Sequence, residues 1–293
     1  MYYLDFYEPF GQRTRWNSLF DYLYFFIEQA PLYTQNNFSD EYLQYLNIEF
    51  GVEPSFRKLR PFHQFNNYIY FNNEQENSRF HSKDYFFTFL KEKSYYEHEA
   101  FITYKDLKKP GYIYKMLTGF SGRGIFEDFI KDSMIVEKKL NRVVDFSIFF
   151  KDGEFIIYEN IVDKTFHYKG SIFDKETIKN PKLFLKRKNV ASDKIESFLV
   201  VLQESLEFVS KESNGFSIDY FIYESDSGLR IHPGCEVNDR KTMGYLFYQI
   251  LLKIFPNSVK GVFSLDKVIP DRGVRLSPLN ATFPVSYLDL SGN

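Results

Sequence analysis

The stretch from Phe216 to Gly244 constrains this chain most, because it contains two strand-like runs joined by a polar turn. The first run carries Asp219, residues 224–228 form the turn, and the second run ends at Glu236 and Asn238. Alternate side chains of a strand share a face, so Glu236 and Asn238 are predicted to lie together, with Asp219 beside them. Two carboxylates and an amide oxygen suit Mg²⁺. The pattern fits either a magnesium site or a solvated hairpin, since these residue types are common at strand ends.

A second feature is a strand followed by a glycine-rich loop. Lys115 lies at the end of the strand-like run 111–117. The loop contains Gly119, Ser121, Gly122 and Gly124, and we predict that a helix follows it. Glycines permit positive φ, so successive backbone N–H groups can converge on phosphate oxygens, and a lysine adds positive charge beside them. The spacing is neither a Walker A motif nor a dinucleotide-binding fingerprint, and an ordinary turn also fits the loop.

Length and composition restrict the class of protein. The 293 residues suggest about two domains. A net charge of -2 gives no electrostatic reason to bind nucleic acid or an acidic membrane surface. One cysteine, Cys235, excludes an internal disulfide framework, and no apolar run approaches the roughly 20 residues of a membrane-spanning helix. We therefore expect a soluble, cytoplasmic protein.

Hydrophobic periodicity predicts the other elements. The predicted helices cover residues 13–30, 82–90 with Ser82 as N-cap, 193–210 with Ser192 as N-cap, and 245–255. Short strands are predicted at residues 67–71, 100–104 and 134–136, and another begins at Asp145. Residues 160–188 are predicted to form a basic loop.

In chain order, these features resemble the ATP-grasp superfamily of carboxylate ligases. The resemblance covers residues 83–244 and consists of a strand lysine, a glycine loop, an acidic linker and the hairpin with its Glu-x-Asn sequence. It implies an α+β, ATP-grasp-like fold in which two α+β subdomains hold ATP between them. The implied regions are a reduced N-terminal pre-ATP-grasp region (1–82), a lid subdomain with the glycine loop (83–139) and a C-terminal metal-binding subdomain (140–293). The first region lacks the clear βαβ opening of many members.

The resemblance also implies roles for single residues. The phosphate-binding groups would be Lys83, Lys115 and the loop residues Gly119, Ser121, Gly122 and Gly124. The adenine-side residues would be Glu137, Lys139 and Leu140, and Asp145 would bind the ribose. The Mg²⁺ ligands would be Asp219, Glu236 and Asn238, and Arg240 would hold the substrate carboxylate or the developing charge. Lys83 fits a solvent-exposed lysine equally well, and Glu137 fits a solvated charge cluster.

By this resemblance the chain is an ATP-dependent, ADP-forming ligase that joins a carboxylate to an amine or thiol through an acylphosphate. Two alternatives stay open: a non-catalytic ATP-binding regulatory or scaffold protein, and a small-molecule kinase on the same fold. The expected cofactors are ATP and Mg²⁺, and the expected partners are small-molecule or peptide substrates, without nucleic acid or membrane.

Overall fold

The computed structural model describes residues 2–5, 21–27, 32–34, 36–58, 69–70, 79–105, 109–118, 124–130, 133–240, 242–266 and 271–291. The α-helices are α1 (Asp40–Phe50), α2 (Lys83–Glu92), α3 (Pro181–Arg187), α4 (Ser192–Ser210) and α5 (Met243–Ile254). Short 3-10 helices cover Asp21–Phe26 and Arg79–His81. The first strands are β1 (Tyr2–Asp5), β2 (Leu32–Thr34), β3 (Phe56–Lys58), β4 (Ile69–Tyr70), β5 (Ala100–Thr103), β6 (Tyr112–Met116), β7 (Ile125–Phe126) and β8 (Met134–Lys138). The remaining strands are β9 (Asn141–Lys151), β10 (Glu154–Val162), β11 (Tyr168–Asp174), β12 (Phe216–Ser225), β13 (Gly228–Ile231), β14 (Glu236–Asn238), β15 (Lys260–Ser264), β16 (Val274–Arg275) and β17 (Ser286–Asp289).

The chain forms two compact units. The first contains residues 1–74, 170–173 and 240–293, and the second contains residues 75–169 and 174–239. Each unit contains both helices and sheet, which confirms the predicted α+β class. The predicted division after residues 82 and 139 remains a prediction. Among the described residues, no helix is long and apolar enough to cross a membrane.

The first unit contains a parallel sheet that the sequence did not predict. Its strand order is β3-β2-β1-β4, and all three pairings are parallel. Strands β15, β17 and β16 form an antiparallel arrangement in the same unit. The hydroxyl of Tyr22 donates to the carbonyl of Phe283 at 2.6 Å, and the hydroxyl of Tyr42 donates to the carbonyl of Leu276 at 2.6 Å. These bonds join the N-terminal and C-terminal segments of this unit.

A buried carboxyl group in the first unit makes stability depend on pH. Asp21 is 2% exposed, and burial raises its pKa from 3.8 to about 8, although the Thr34 hydroxyl that donates to it acts in the opposite direction. Because the folded-state pKa is raised, the contribution of Asp21 to stability is fully present below its unfolded pKa and is lost as pH rises towards 8.

We therefore expect wild-type protein to lose stability relative to Asp21→Asn as pH rises, by at most about 1.4 kcal/mol per pH unit between about pH 4 and pH 8. Urea unfolding of both proteins at about pH 5 and pH 8 measures this difference. The same difference in unfolding free energy at both pH values would contradict the assignment of a protonated, buried Asp21.

The second unit contains two antiparallel sheets. One has the strand order β5-β8-β6-β7, and the other contains β13-β12-β9-β10 with β14 also paired to β12. The apolar face of the second sheet packs against helices α3 and α4. This core includes Phe146, Ile148, Ile218, Tyr220 and Ile222 of the sheet, with Phe184, Ile195, Phe198 and Leu202 of the helices.

The opposite face of that sheet carries a row of polar side chains, beside apolar ones such as Phe149 and Phe221, because side chains alternate along each strand. Ser147, Ser217 and Asp219 lie one position away from core residues of β9 and β12. Burying one row of apolar side chains under α4 thus places the polar row on the other face. The hydrophobic core determines which face carries the candidate site.

Several predicted elements are wrong, and local pairing explains why. After the glycine loop the chain forms β7, which pairs with β6, and the described residues 124–130 contain no helix. Strand β9 begins at Asn141 and Asp145 lies within it, because β9 pairs with β12 over nearly its whole length. Residues 160–188 contain β11 and α3 where a loop was predicted. Helix α4 begins at Ser192, with Ala191 as its N-cap.

Candidate functional site

The hairpin that the sequence predicts is formed by β12 and β14. Asp219 lies directly opposite Glu236, and Ser217 lies directly opposite Asn238. Directly opposed residues of antiparallel strands share a face, so the three predicted oxygen ligands lie on one side of the sheet. The amide nitrogen of Asn238 donates to Oδ2 of Asp219 at 2.9 Å. The structure therefore brings these three residues together.

Two neighbouring strands extend this polar face. The hydroxyl of Ser147 in β9 donates to Oδ1 of Asp219 at 2.5 Å. The amide nitrogen of Asn160 in β10 donates to the Ser147 hydroxyl at 2.6 Å. Because the orientation of Asp219 is fixed from both sides, its carboxylate is held in place before any ligand arrives.

Helix α2 brings a lysine to the hairpin. The ammonium of Lys83, the first residue of α2, lies 2.8 Å from Oε2 of Glu236. Gly234, just before β14, makes this approach possible: its φ is +151°, and a Cβ there would lie 2.6 Å from the ring of Phe86 in α2. A residue with a side chain would separate α2 from the hairpin, so glycine is required at this position.

Lys115 and Glu137 form a buried ion pair between β6 and β8. The ammonium of Lys115 donates to Oε2 of Glu137 at 2.6 Å, and the two side chains are 6% and 4% exposed. Burial alone raises the pKa of Glu137 and lowers that of Lys115, but their mutual attraction outweighs burial. The pKa of Glu137 is consequently held well below its usual range and that of Lys115 is raised, so both groups are charged at neutral pH.

Two histidines adjoin this ion pair. Ring nitrogens of His98 and His232 and a carboxylate oxygen of Glu137 all lie within 4.8 Å of one another. Burial lowers the pKa of His98 to about 4 and also lowers the pKa of His232, so both imidazoles are neutral at pH 7. The N–H of Gly234 donates to Nδ1 of His232, which places the ring proton on Nε2, 3.4 Å from Oε2 of Glu137.

Arg142 connects the hairpin with the Lys115–Glu137 pair. Burial lowers the pKa of Arg142, while the charges of Asp219, Glu137 and Glu236 act in the opposite direction. Its guanidinium also forms an ion pair with Asp145, the predicted ribose-side residue. The carboxylates of Asp219 and Glu236 at the hairpin and of Glu137 in the buried ion pair therefore all interact electrostatically with the guanidinium of Arg142.

The predicted adenine-side residues lie at the end of β8 and in the connection to β9. The Glu137 side chain is buried against Lys115, so the alternative of a solvated charge cluster is wrong. The backbone N–H of Lys139 already donates to the carbonyl of Gly111 at 2.8 Å, and its ammonium pairs with Glu127 at 2.6 Å. Only Lys139 and Leu140 separate β8 from β9. Their adenine-side role remains a prediction.

The remaining predicted residues lie in three places. Gly119, Ser121 and Gly122 are outside the described residues. Gly124 follows the loop, and its carbonyl accepts the N–H of Met116 at 2.7 Å, which closes the β6–β7 hairpin. Arg240 lies two residues after Asn238 and belongs to the first compact unit. Its role also remains a prediction.

Sequence reasoning missed five residues of this region, namely His98, Arg142, Ser147, Asn160 and His232. Their contacts to the predicted residues join elements that are distant in sequence, as with Ser147 and Asp219, which are 72 positions apart. Position 147 carried one usable signal, a polar residue within an otherwise apolar strand. The histidines carried none, because no metal-ligand spacing connects them.

The donor set at the hairpin fits a hard divalent cation. Asp219 and Glu236 supply carboxylate oxygens, and Asn238, whose amide nitrogen faces Asp219, supplies an amide oxygen. Glu236 already has the ammonium of Lys83 against it. Two imidazoles and a carboxylate also form a ligand set for a transition metal. At Glu137, however, the Lys115 ammonium holds one oxygen, and Nε2 of His232 lies 3.4 Å from that same oxygen.

No protein-family model and no curated protein sequence matches the chain. Over 96% of its length it is similar to an ADP complex of N5-carboxyaminoimidazole ribonucleotide synthetase (81% of that chain, 10% identity, TM-score 0.47). It is also similar over 90% to an ATP-grasp superfamily protein from Archaeoglobus fulgidus (78% of that chain, 12% identity, TM-score 0.44). A third similar structure is an ATP complex of biotin carboxylase from Campylobacter jejuni (89% and 71% covered, 9% identity, TM-score 0.48).

Proposed function

We propose that this chain is an ADP-forming ligase of the ATP-grasp type, which joins a carboxylate to an amine or thiol through an acylphosphate. The observation that carries the proposal is the register of β12 and β14, in which Asp219 faces Glu236 and bonds to Asn238. Lys83 and Lys115 provide positive charge at the same region, in the order in which the motifs follow along the chain.

The reaction needs alignment and charge neutralisation and does not need a nucleophile from the protein. An oxygen of the substrate carboxylate attacks the γ-phosphorus of ATP, and the bond from that phosphorus to the oxygen of the departing ADP breaks. The amine then attacks the acyl carbon, inorganic phosphate leaves, and the amine loses a proton. Lys83 and Lys115 stabilise the phosphate charge, and Arg240 holds the substrate carboxylate.

Magnesium, held by Asp219, Glu236 and Asn238, would supply charge neutralisation of the nucleotide phosphates. The side chains around these ligands keep them in position before the nucleotide binds. Ser147 fixes Asp219, and Asn160 fixes Ser147. Lys83 keeps Glu236 directed towards the same face.

The test is ADP formation with a panel of amino acids and short peptides, each with an amine acceptor, in the presence of Mg²⁺. We expect ADP release that requires Mg²⁺ and a carboxylate, and formation of a hydroxamate when hydroxylamine replaces the amine. ADP release with a stable phosphoester and no hydroxamate would indicate a kinase. Binding of MgATP without turnover on any member of the panel would indicate a non-catalytic ATP-binding protein.

A further inference from the structure

The buried side chains around Glu137 include a histidine, His98, that makes no hydrogen bond with any described residue. Glu137 has the ammonium of Lys115 as its cationic partner at 2.6 Å, and Nε2 of His232 lies 3.4 Å from the same carboxylate oxygen. His98 lies beside them, and both of its ring nitrogens are buried without a hydrogen-bond partner among the described residues. A buried polar group without a partner costs free energy, so its retention calls for an explanation.

Lys115 has two competing partners if the proposed function is correct. In the nucleotide-free protein its ammonium is bound to Glu137, and a phosphate oxygen of ATP would draw it away. Glu137 would then be a buried carboxylate whose cationic partner has left. Such a group is strongly unfavourable unless another positive charge replaces the lost one.

We propose that nucleotide binding is coupled to uptake of about one proton from solvent by His98, which replaces Lys115 as the cationic partner of Glu137. The inference rests on the proposed role of Lys115 in binding phosphate. His98 acts here as a positioning residue: it stabilises the arrangement in which Lys115 is directed to the nucleotide, and it does not contact the nucleotide itself.

His98 is the suitable acceptor because the other groups around it are excluded. The charged and titratable groups that face it are Glu97, Tyr96, Lys115, Glu137, Tyr223 and His232. Nδ1 of His232 already accepts the N–H of Gly234, so protonation there would break that bond. Both nitrogens of His98 lack a partner among the described residues, and one of them lies within 4.8 Å of a carboxylate oxygen of Glu137, so protonation of His98 places a positive charge beside that carboxylate.

The direction of the linkage follows from the charges. Burial, His232 and Lys115 hold the pKa of His98 down to about 4 in the resting protein, and Glu137 acts in the opposite direction. When Lys115 moves to the phosphate, its repulsion decreases while the attraction of Glu137 persists, so the pKa rises. Affinity for MgATP is consequently expected to increase as pH falls through the raised pKa and to level off below the resting pKa.

The experiment is calorimetric titration of the whole protein at about pH 7 with the Mg²⁺ complex of a non-hydrolysable ATP analogue, in buffers of different ionisation enthalpy. The dependence of the observed heat on buffer enthalpy gives the number of protons taken up. We expect about one half to one proton for wild type and His167→Gln, and close to zero for His98→Gln. His167 is a matched control, since it is an exposed histidine of the same compact unit.

Three results would overturn the inference. If the nucleotide binds to wild type without proton uptake, the proposed protonation of His98 is wrong, whereas the proposed function is unaffected. Undiminished uptake by His98→Gln shows that another group takes the proton. Absence of nucleotide binding overturns both proposals together.

Glu137→Gln provides a second variant, because a neutral partner needs no replacement charge and uptake should again be close to zero.

Discussion

Magnesium-dependent ADP release is expected to fall at least about 100-fold when Glu236 and Asn238 are both replaced by alanine. The two substitutions leave Asp219 as the only member of the proposed ligand set, and a single carboxylate does not hold a divalent cation against water. The measurement is kcat/KM for MgATP with a substrate found in the activity screen.

The matched control for this double variant is Glu224→Ala. Glu224 is an exposed carboxylate on the same strand, β12, and its partner is the side chain of Asn141. We expect this variant to retain wild-type turnover. Turnover close to wild type in the double variant, with a native circular dichroism spectrum, would show that Glu236 and Asn238 do not bind the catalytic cation.

Lys115→Met is expected to lower the free energy of unfolding by about 3 kcal/mol at about pH 9, where His98 stays neutral and Glu137 is left as a buried anion without a cationic partner. The pair is almost inaccessible to solvent, so water cannot replace the lost ammonium. Urea unfolding followed by circular dichroism measures the change.

A double-mutant cycle distinguishes the lost ion pair from lost packing. The variant that combines Lys115→Met with Glu137→Gln removes both charges, so we expect it to be more stable than Lys115→Met alone. Purely additive effects of the two substitutions would contradict a direct interaction between the two residues. Lys182→Met is the matched control, since the Lys182–Glu196 ion pair is exposed and its loss should cost less than about 1 kcal/mol.

The hairpin was predictable because its information is local. Strand alternation fixes which side chains share a face, and the polar turn of residues 224–228 fixes the reversal. Lys115 was likewise placed correctly at a strand that precedes the glycine loop. Residues 124–130, where a helix was expected, instead contain a strand, because Ile125 and Phe126 pair with β6, and such pairing overrides local periodicity.

The rest of the site depends on contacts that the sequence does not specify locally. Ser147 reaches Asp219, and Asn160 reaches Ser147, because β9 lies between β12 and β10. His98 and His232 meet at Glu137 from two different segments, and the required glycine at position 234 sets the second of them close to α2. The parallel sheet of the first unit was missed because its strands have two to four residues, too few for a periodic pattern.

The central claim is that the β12–β14 hairpin binds the cation that accompanies the nucleotide. The most direct test is a crystal structure with a non-hydrolysable ATP analogue and Mn²⁺, whose position is identified by anomalous scattering. We expect a manganese peak within about 2.5 Å of oxygens of Asp219, Glu236 and Asn238 and of the nucleotide phosphates. A peak at His98, Glu137 and His232, or nucleotide bound with no manganese at the hairpin, would contradict the account.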